Sequence, residues 1–312
     1  MDSMGVSSTD RVYKFRALSV DHLGELQECI DELKRAGKLS SHRIYRSYLR
    51  NKKFEVPRNL PDAKSLIVVA AFTKLMLVDF HANGRKHEVM VPPQYYSTGL
   101  TEETLRNLIL ERIIVEPGYK IEEARRVHLK LLAARSGLGR YGRNNLCYVE
   151  GMGSLLTLFA YFTDCQLEDN WTEMRMMDYC KECRICMSYC PTNCITEENF
   201  VIDAGKCLSL YNEIAGEFPR WIGPKAHNAL MGCMKCQLHC PANREVIKQT
   251  GRFEDVTEEE TAKILKGTLD DKLLDSLSRK LREFDPTQSE DTFPILTRNL
   301  GALLNPKIDL SK

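Results

Sequence analysis

Two strings of cysteines in the second half of the chain constrain its fold more than any other feature. The first string has the spacing C-x2-C-x2-C-x3-C-P, and the second has the spacing C-x2-C-x3-C-P. One further cysteine lies between the two strings. The candidate metal ligands are Cys180, Cys183, Cys186, Cys190, Cys207, Cys233, Cys236 and Cys240. The first spacing is that of bacterial two-cluster ferredoxins, so the sequence predicts two 4Fe–4S clusters held by cysteine thiolates.

The spacing also predicts how the ligands are shared between the two clusters. Three cysteines at i, i+3 and i+6 wrap one cluster, and the cysteine before proline ligates the other. Cluster one would therefore take Cys180, Cys183, Cys186 and Cys240. Cluster two would take Cys190, Cys207, Cys233 and Cys236. Because this crossed pairing ties the two strings together, we expect the metal to stabilise the fold as well.

Zinc is the main alternative, because C-x2-C pairs are common zinc ligands. A tetrahedral zinc site, however, has no use for a third cysteine at i+6 and a fourth before proline. The remaining cysteines are Cys29, Cys147, Cys165 and Cys194. Cys29 and Cys147 lie in apolar segments and are expected to be small core residues. Cys194 closely follows the first string, and we expect it to pack near a cluster rather than ligate it.

Length and composition limit the classes of protein that remain. A chain of 312 residues with 43% hydrophobic content can bury one sizeable core plus a smaller module. A formal net charge of +1 excludes a chain that binds nucleic acid through overall charge. No window of eighteen apolar residues is present, so we expect no membrane span and no membrane partner. Free thiols and clusters favour a reducing cytoplasm.

Local patterns predict an α+β fold in the first half of the chain. A buried strand is predicted over 65–72, a hairpin over 75–91 around Asn83-Gly84, helices over 101–114 and 121–135, and a strand pair over 146–149 and 155–162. A capping box, Thr257 to Glu260, predicts a later helix. We therefore expect an α+β cofactor or substrate domain over 1–169, a ferredoxin-like two-cluster domain over 170–245 and a C-terminal helical segment over 246–312.

The run from Gly137 to Asn145 is a candidate binding loop. It contains three glycines, which allow a close approach of the backbone to a ligand. Four of its side chains could cradle a phosphate-bearing cofactor or substrate: Arg140, Tyr141, Arg143 and Asn144. The alternative is a loop that ends a helix and docks on the cluster module.

The order of these motifs resembles epoxyqueuosine reductase and its relatives. The resemblance rests on the run from Arg135 to Asn145, on Gly153-Ser154 opening a buried strand, and on the two cysteine strings with Cys207 between them. It extends from Ile121 to Arg244. It implies a nitroreductase-like α+β domain that holds cobalamin beside two 4Fe–4S clusters. It also implies an electron-donor protein of the ferredoxin or flavodoxin type.

The resemblance further implies a reductive deoxygenation of an epoxide on a modified tRNA base, with an acidic residue as proton donor. Counting back twelve residues from Arg135 places this acid at Glu123, a glutamate where the family has an aspartate. The alternative role for Glu123 is structural, since acidic residues in the first turn of a helix favour its dipole and can pair with Arg126.

Two functions from different classes follow. The first is an epoxyqueuosine reductase-like oxidoreductase that passes single electrons to cobalamin or to a bound substrate, either a small molecule or a modified base. The second is an electron-transfer or activator protein that reduces a partner such as a corrinoid protein. A basic group could contact tRNA phosphates: Arg125, Arg126, Lys130, Arg135, Arg140 and Arg143. Because no domain is strongly basic, we favour a small anionic ligand over RNA.

Overall fold

The computed structural model describes residues 5–6, 12–96, 100–281 and 292–304. The chain divides into two compact units built from interleaved segments. The first unit comprises the described residues within Met1–Phe72, Gly99–Cys183 and Ile195–Gly205, and the second those within Thr73–Thr98, Arg184–Cys194 and Lys206–Lys312. These units differ from the predicted consecutive segments 1–169, 170–245 and 246–312, because Thr73–Thr98 packs with the C-terminal helices. Residues 282–291 and 305–312 of the last predicted segment lie outside the described residues.

The regular elements of the described residues are numbered in chain order. The strands are β1 (Gly5–Val6), β2 (Val12–Ser19), β3 (Ser65–Phe72), β4 (Met76–Ala82), β5 (Arg85–Val91), β6 (Ile121–Glu123), β7 (Arg140–Tyr141), β8 (Cys147–Tyr148), β9 (Leu156–Thr163) and β10 (Gly251–Arg252). The helices are α1 (Leu23–Arg35), α2 (Arg43–Arg50), α3 (Glu102–Arg112), α4 (Leu129–Arg135), α5 (Ile185–Ser188), α6 (Leu208–Glu213), α7 (Lys235–Leu238), α8 (Glu258–Leu265), α9 (Asp271–Lys280) and α10 (Thr292–Leu304).

The first unit is built on an antiparallel sheet in the order β1-β2-β3-β9-β6. Strand β3 lies at its centre and confirms the strand predicted over 65–72. Alternate side chains of β3 enter different cores, because successive residues of a strand point to opposite faces. Leu66, Val68 and Ala70 pack with α1 and α4, whereas Ile67, Val69 and Ala71 pack with α3. Burial on both faces explains why this strand is apolar throughout.

The second unit contains a three-stranded sheet in the order β10-β4-β5. Strands β4 and β5 form the predicted hairpin, with Asn83 at φ 52° and Gly84 at φ 68°. Positive φ at both central residues is what a two-residue type I′ turn requires. Apolar residues of the hairpin share a core with α8, α9 and α10. The predicted capping box is also present, since Thr257 and Glu260 cap each other's backbone at the start of α8.

The cysteine-bearing part of the second unit has little regular structure. Helices α5 and α7 contain four residues each, and α6 contains six. One buried apolar cluster of this part contains Leu208, Ile222 and Ala226, and Leu230 and Met231 join the core shared with the hairpin and the C-terminal helices.

Two predictions of local structure are wrong. The helix predicted over 121–135 is divided into strand β6 and helix α4, because β6 pairs with β9 and α4 begins only after its cap at His128. The strand pair predicted over 146–149 and 155–162 does not form. Strand β8 pairs with β7 of the glycine-rich run instead, and β9 pairs with β3 and β6.

Within the ranges that the structure describes, no helix combines the length and the apolar character needed to cross a bilayer.

Candidate functional site

Three cysteines meet in the second unit. The Sγ atoms of Cys190 and Cys194 are 3.4 Å apart, and the side chain of Cys194 is also hydrogen-bonded to Cys207. Cys190 follows α5, and Cys207 lies at the start of α6. Two of these three thiols are the predicted cluster-two ligands Cys190 and Cys207. The third, Cys194, lies beside two predicted ligands.

Several groups lie within hydrogen-bonding distance of the predicted ligand sulfurs in this region. The backbone N–H of Cys194 donates to Cys190 Sγ at 3.4 Å, and Thr192 Oγ1 lies 3.6 Å from the same sulfur. The hydrogen bond from Cys194 lowers the pKa of Cys190 to about 5. Hydrogen bonds from Cys194 and Ser209 also lower the pKa of Cys207 to about 7. Stabilised thiolates are the form in which cysteine binds metal.

The pKa of Cys194 moves the other way. Its side-chain hydrogen bonds to Cys190 and Cys207 raise this pKa far above the ordinary value for cysteine. The arrangement therefore favours thiolates at Cys190 and Cys207 and a thiol at Cys194. Cys190 and Cys207 could therefore provide two of the thiolate corners of a 4Fe–4S cluster.

A third predicted cluster-two ligand, Cys233, is held by a turn of the chain. The side-chain amide of Asn228 donates to Cys233 Sγ at 3.2 Å, and its oxygen accepts from the backbone N–H of Met234 at 2.8 Å. The preceding residue, Gly232, has φ +62° and lies against the ring of Tyr95. A Cβ at this position would lie 2.5 Å from a carbon of that ring. Only glycine therefore fits both the backbone and the space beside this ligand.

Buried asparagines connect the ligand segments to the core of the second unit. The amide nitrogen of Asn212 donates to the carbonyl of Gly232 at 2.6 Å. The amide nitrogen of Asn299 donates to the carbonyls of Asn212 and Leu230, each at 2.9 Å. Asn212 is 0% exposed and Asn299 is 1% exposed. This network joins α6, the loop before Cys233 and α10, so it fixes the positions from which the predicted ligands Cys207 and Cys233 project.

The asparagine network was not predicted from the sequence. A polar Asn299 inside the apolar stretch of α10 was a signal that a buried hydrogen-bond network exists, because a buried amide needs partners. The sequence did not identify those partners.

In the first unit, Arg143 contacts the first predicted ligand of cluster one. Its backbone N–H donates to Cys180 Sγ at 3.4 Å, and its guanidinium donates to the Cys180 carbonyl at 2.5 Å. The guanidinium also pairs with Glu197 at 3.1 Å. Arg143 is only 5% exposed. Arg143, which was predicted to cradle a phosphate, therefore supports the turn that carries the predicted cluster ligand Cys180.

The other members of the predicted cradle are placed differently. Tyr141 and Asn144 are each 5% exposed. The ring of Tyr141 makes an edge contact with Phe200 at 5.6 Å, and Asn144 donates to the hydroxyl of Tyr148 at 2.9 Å. Arg140 is exposed and forms an ion pair with Asp178 at 2.7 Å. Of the four predicted residues, Arg140 alone presents its charged group to solvent.

Two glycines of this run are required by packing within the protein. A Cβ on Gly139 would lie 2.5 Å from Cys147 Sγ, and a Cβ on Gly142 would lie 2.4 Å from the ring of Tyr148. Both contacts are with β8, the partner of β7. The close approach that the glycines allow is therefore at least partly an approach to this strand.

Glu123 lies at the end of β6 rather than in the helix that the sequence predicted. Its carboxylate accepts from Nε of Arg125 at 2.5 Å, and the same guanidinium lies 3.4 Å from Glu102. The side chain is 29% exposed. The carboxylate of Glu123 is thus accessible to solvent and is paired with Arg125.

The six basic residues grouped in the sequence are engaged within the protein. Each of them has a hydrogen-bond partner of its own, which is a carboxylate, an amide, a backbone carbonyl or a thiol. The pairs are Arg125 with Glu123, Arg126 with Asn51, Lys130 with Asn145, Arg135 with Thr172 and Cys29, Arg140 with Asp178, and Arg143 with Glu197.

Replacing Arg143 by methionine is expected to lower the free energy of unfolding by about 2 kcal/mol, because buried acceptors would lose charged hydrogen-bond donors. The matched control is Arg140→Met. It breaks an exposed ion pair and should cost less than about 1 kcal/mol. Urea denaturation of the full chain under anaerobic conditions measures both. Equal losses in the two variants would contradict the supporting role given to Arg143.

The cysteine-bearing segment defines the class of protein. Residues 179–243 match the sequence profile of the 4Fe-4S double cluster binding domain. The protein therefore carries a domain of this class, in agreement with the prediction from cysteine spacing.

The particular proteins that the chain resembles are epoxyqueuosine reductases. That of Aliivibrio fischeri is 38% identical over 115 residues, which are 36% of this chain and 30% of that protein. That of Escherichia coli is 35% identical over 114 residues, which are 36% of this chain and 29% of that protein. That of Leadbetterella byssophila is 33% identical over 141 residues, which are 44% of this chain and 45% of that protein. The matching region spans less than half the length of these relatives.

Solved structures extend the likeness to nearly the whole fold. The epoxyqueuosine reductase of Streptococcus thermophilus has a TM-score of 0.64 at 18% identity, covering 94% of this chain and 77% of that chain. A structure of epoxyqueuosine reductase with an epoxyqueuosine-modified tRNA-Tyr stem loop has a TM-score of 0.65 at 18% identity, covering 96% and 78%. These likenesses confirm the predicted resemblance and the predicted mixed fold with its 4Fe–4S domain.

Proposed function

We propose that the protein is an iron–sulfur oxidoreductase that relays single electrons through two 4Fe–4S clusters to a cobalamin or to a bound substrate. The observation that carries the proposal is the set of thiols and donors around Cys190, Cys207 and Cys233 in the second unit. Cys236 would complete the ligands of cluster two. When bound, the clusters supply one-electron transfer.

The likeness to epoxyqueuosine reductases supports the rest of the proposal. Cobalamin would supply a reduced metal for a reductive step on the substrate. The exposed Arg140 would contact an anionic group of the cofactor or substrate, and Tyr141, Arg143 and Asn144 would hold its loop in place. An electron donor of the ferredoxin or flavodoxin type in the reducing cytoplasm fits this chemistry. Either a modified tRNA base or a small anionic molecule could be the substrate.

Anaerobic purification followed by a cobalamin titration tests the proposal. The full chain is analysed for iron and labile sulfide, and absorption spectra are then recorded as cobalamin is added. A base-off cobalamin spectrum on a chain with about eight iron atoms supports the reductase. Incubation of the reduced protein with an epoxyqueuosine-modified tRNA stem loop then shows whether that base is the substrate. Full clusters without any cobalamin binding would contradict the cobalamin-dependent form of the proposal.

Glu123 is the proposed proton donor of this reaction. Replacing Glu123 by glutamine should lower the rate of the reductive step about a hundredfold, because general acid catalysis contributes effects of that size. The matched control is Glu122→Gln, since neighbouring side chains of β6 point to opposite faces. Iron content should be unchanged in both variants. Equal rates in the two variants would remove Glu123 from the mechanism.

A second function is favoured by one specific observation. Ile185 is 37% exposed and Tyr189 is 48% exposed, and both lie beside predicted ligands in the second unit. An exposed apolar surface near a cluster suits an electron-transfer protein that reduces a partner such as a corrinoid protein. Three results together would select this function. The chain would contain about eight iron atoms, it would not bind cobalamin, and its reduced clusters would be oxidised by an added corrinoid protein.

A further inference from the structure

Cys194 is the feature of the second unit that the proposed function leaves unused. It is 2% exposed, and its Sγ lies 3.4 Å from the Sγ of Cys190. Its side chain is also hydrogen-bonded to Cys207. Both neighbours are predicted ligands of cluster two, so one non-ligand thiol contacts two ligand sulfurs of the same cluster.

The contacts of Cys194 are with sulfur atoms rather than with apolar side chains alone. A thiol carries one hydrogen, which it donates to one acceptor at a time. The backbone N–H of the same residue already donates to Cys190 Sγ at 3.4 Å. The backbone N–H of Cys194 thus donates to a predicted ligand of cluster two, and its Sγ lies within hydrogen-bonding distance of the same sulfur.

Cys194 is not needed as a ligand. The predicted set of Cys190, Cys207, Cys233 and Cys236 already provides the four thiolates of a 4Fe–4S cluster. A residue that only filled space would not need to be a hydrogen-bond donor. Hydrogen bonds to ligand sulfurs are one of the means by which a protein sets the reduction potential of a cluster, since they stabilise the more negatively charged reduced state.

We propose that Cys194 donates its S–H hydrogen to a ligand sulfur of cluster two and thereby raises the reduction potential of that cluster. This inference rests on the proposed pair of clusters and adds a tuning residue to one of them. Cluster one, whose predicted ligands lie outside this group of thiols, is unaffected by the donor. The electron would enter and leave cluster two without passing to Cys194, and no bond to Cys194 is made or broken.

The test is an anaerobic redox titration of the full chain with dithionite, followed by electron paramagnetic resonance. The signal of cluster two is identified as the one lost in Cys236→Ser. In Cys194→Ala the one-electron reduction constant of cluster two should fall about tenfold, which is about 59 mV. Cys194→Ser keeps a hydrogen-bond donor at this position, so its cluster two should have a reduction potential close to that of the wild-type chain. The signal of cluster one should titrate unchanged in both variants.

Cys165→Ala is the matched control, because it removes another buried thiol, one that lies in the first unit. It should leave both potentials unchanged. The tuning role is overturned if Cys194→Ala keeps both clusters and leaves the potential of cluster two unchanged. It is equally overturned if Cys194→Ala loses cluster two, since Cys194 would then be a ligand. A wild-type chain without two clusters would instead refute the proposed function, so the two failures can be told apart.

Discussion

Replacing Cys190 by alanine is expected to remove cluster two and leave cluster one in place, with a loss of about four of the eight iron atoms. The reason is the crossed pairing, in which the cysteine before proline in one string ligates the cluster of the other string. Cys190→Ala should therefore lose the same paramagnetic signal as Cys236→Ala, although the two residues belong to different strings. Iron analysis and paramagnetic resonance of anaerobically prepared variants measure this directly.

Cys183→Ala and Cys240→Ala provide the matched comparison. Both should lose the other signal, that of cluster one, and keep cluster two. If Cys190→Ala lost the signal that Cys183→Ala loses, each string would hold its own cluster. The crossed assignment of the ligands would then be wrong even though iron and sulfur were present.

Removing the clusters is expected to unfold the cysteine-bearing segments while the sheet of the first unit stays folded. The segments around α5, α6 and α7 contain little regular structure, since these helices have four, six and four residues. Metal binding must therefore supply much of their folding free energy. Strand β3, by contrast, is buried on both faces and bonded on both edges.

Amide hydrogen exchange before and after anaerobic chelation of iron measures this difference. Amides in α5 and α7 should exchange much faster in the cluster-free protein, whereas those of β3 should keep their protection. The melting temperature of the cysteine-bearing segments should fall as well. Equal protection of α5 and α7 with and without iron would show that the side chains alone hold these segments together.

The elements that could be predicted from the sequence are those set by local chemistry. Strand β3 is a short apolar run rich in β-branched residues, which favours a buried strand over a helix. The hairpin depends on Asn83 and Gly84, which tolerate positive φ. Helix α8 depends on the capping box formed by Thr257 and Glu260. The cysteine spacing belongs to the same category, because cluster ligation fixes it.

The elements that were predicted wrongly depend on distant partners. Residues Ile121 to Glu123 are acidic enough for the start of a helix, but pairing with β9 makes them a strand. The short strand β8 joins β7 rather than β9, because Gly139 and Gly142 leave room for it. Contacts across the fold override local preference in both cases.

The same limit applies to the candidate site. The sequence placed Cys194 near the clusters from its proximity to Cys190, and the structure adds the contact with Cys207 thirteen positions later. The network of Asn212, Gly232 and Asn299 joins segments that are up to 87 positions apart. No local pattern identifies which residues such a network connects.

Metal and sulfide analysis of the anaerobically purified full chain tests the central claim most directly. The account predicts about eight iron atoms and about eight labile sulfides per chain, with a paramagnetic signal that appears on reduction by dithionite. Stoichiometric zinc without labile sulfide, in protein never exposed to oxygen, would contradict it.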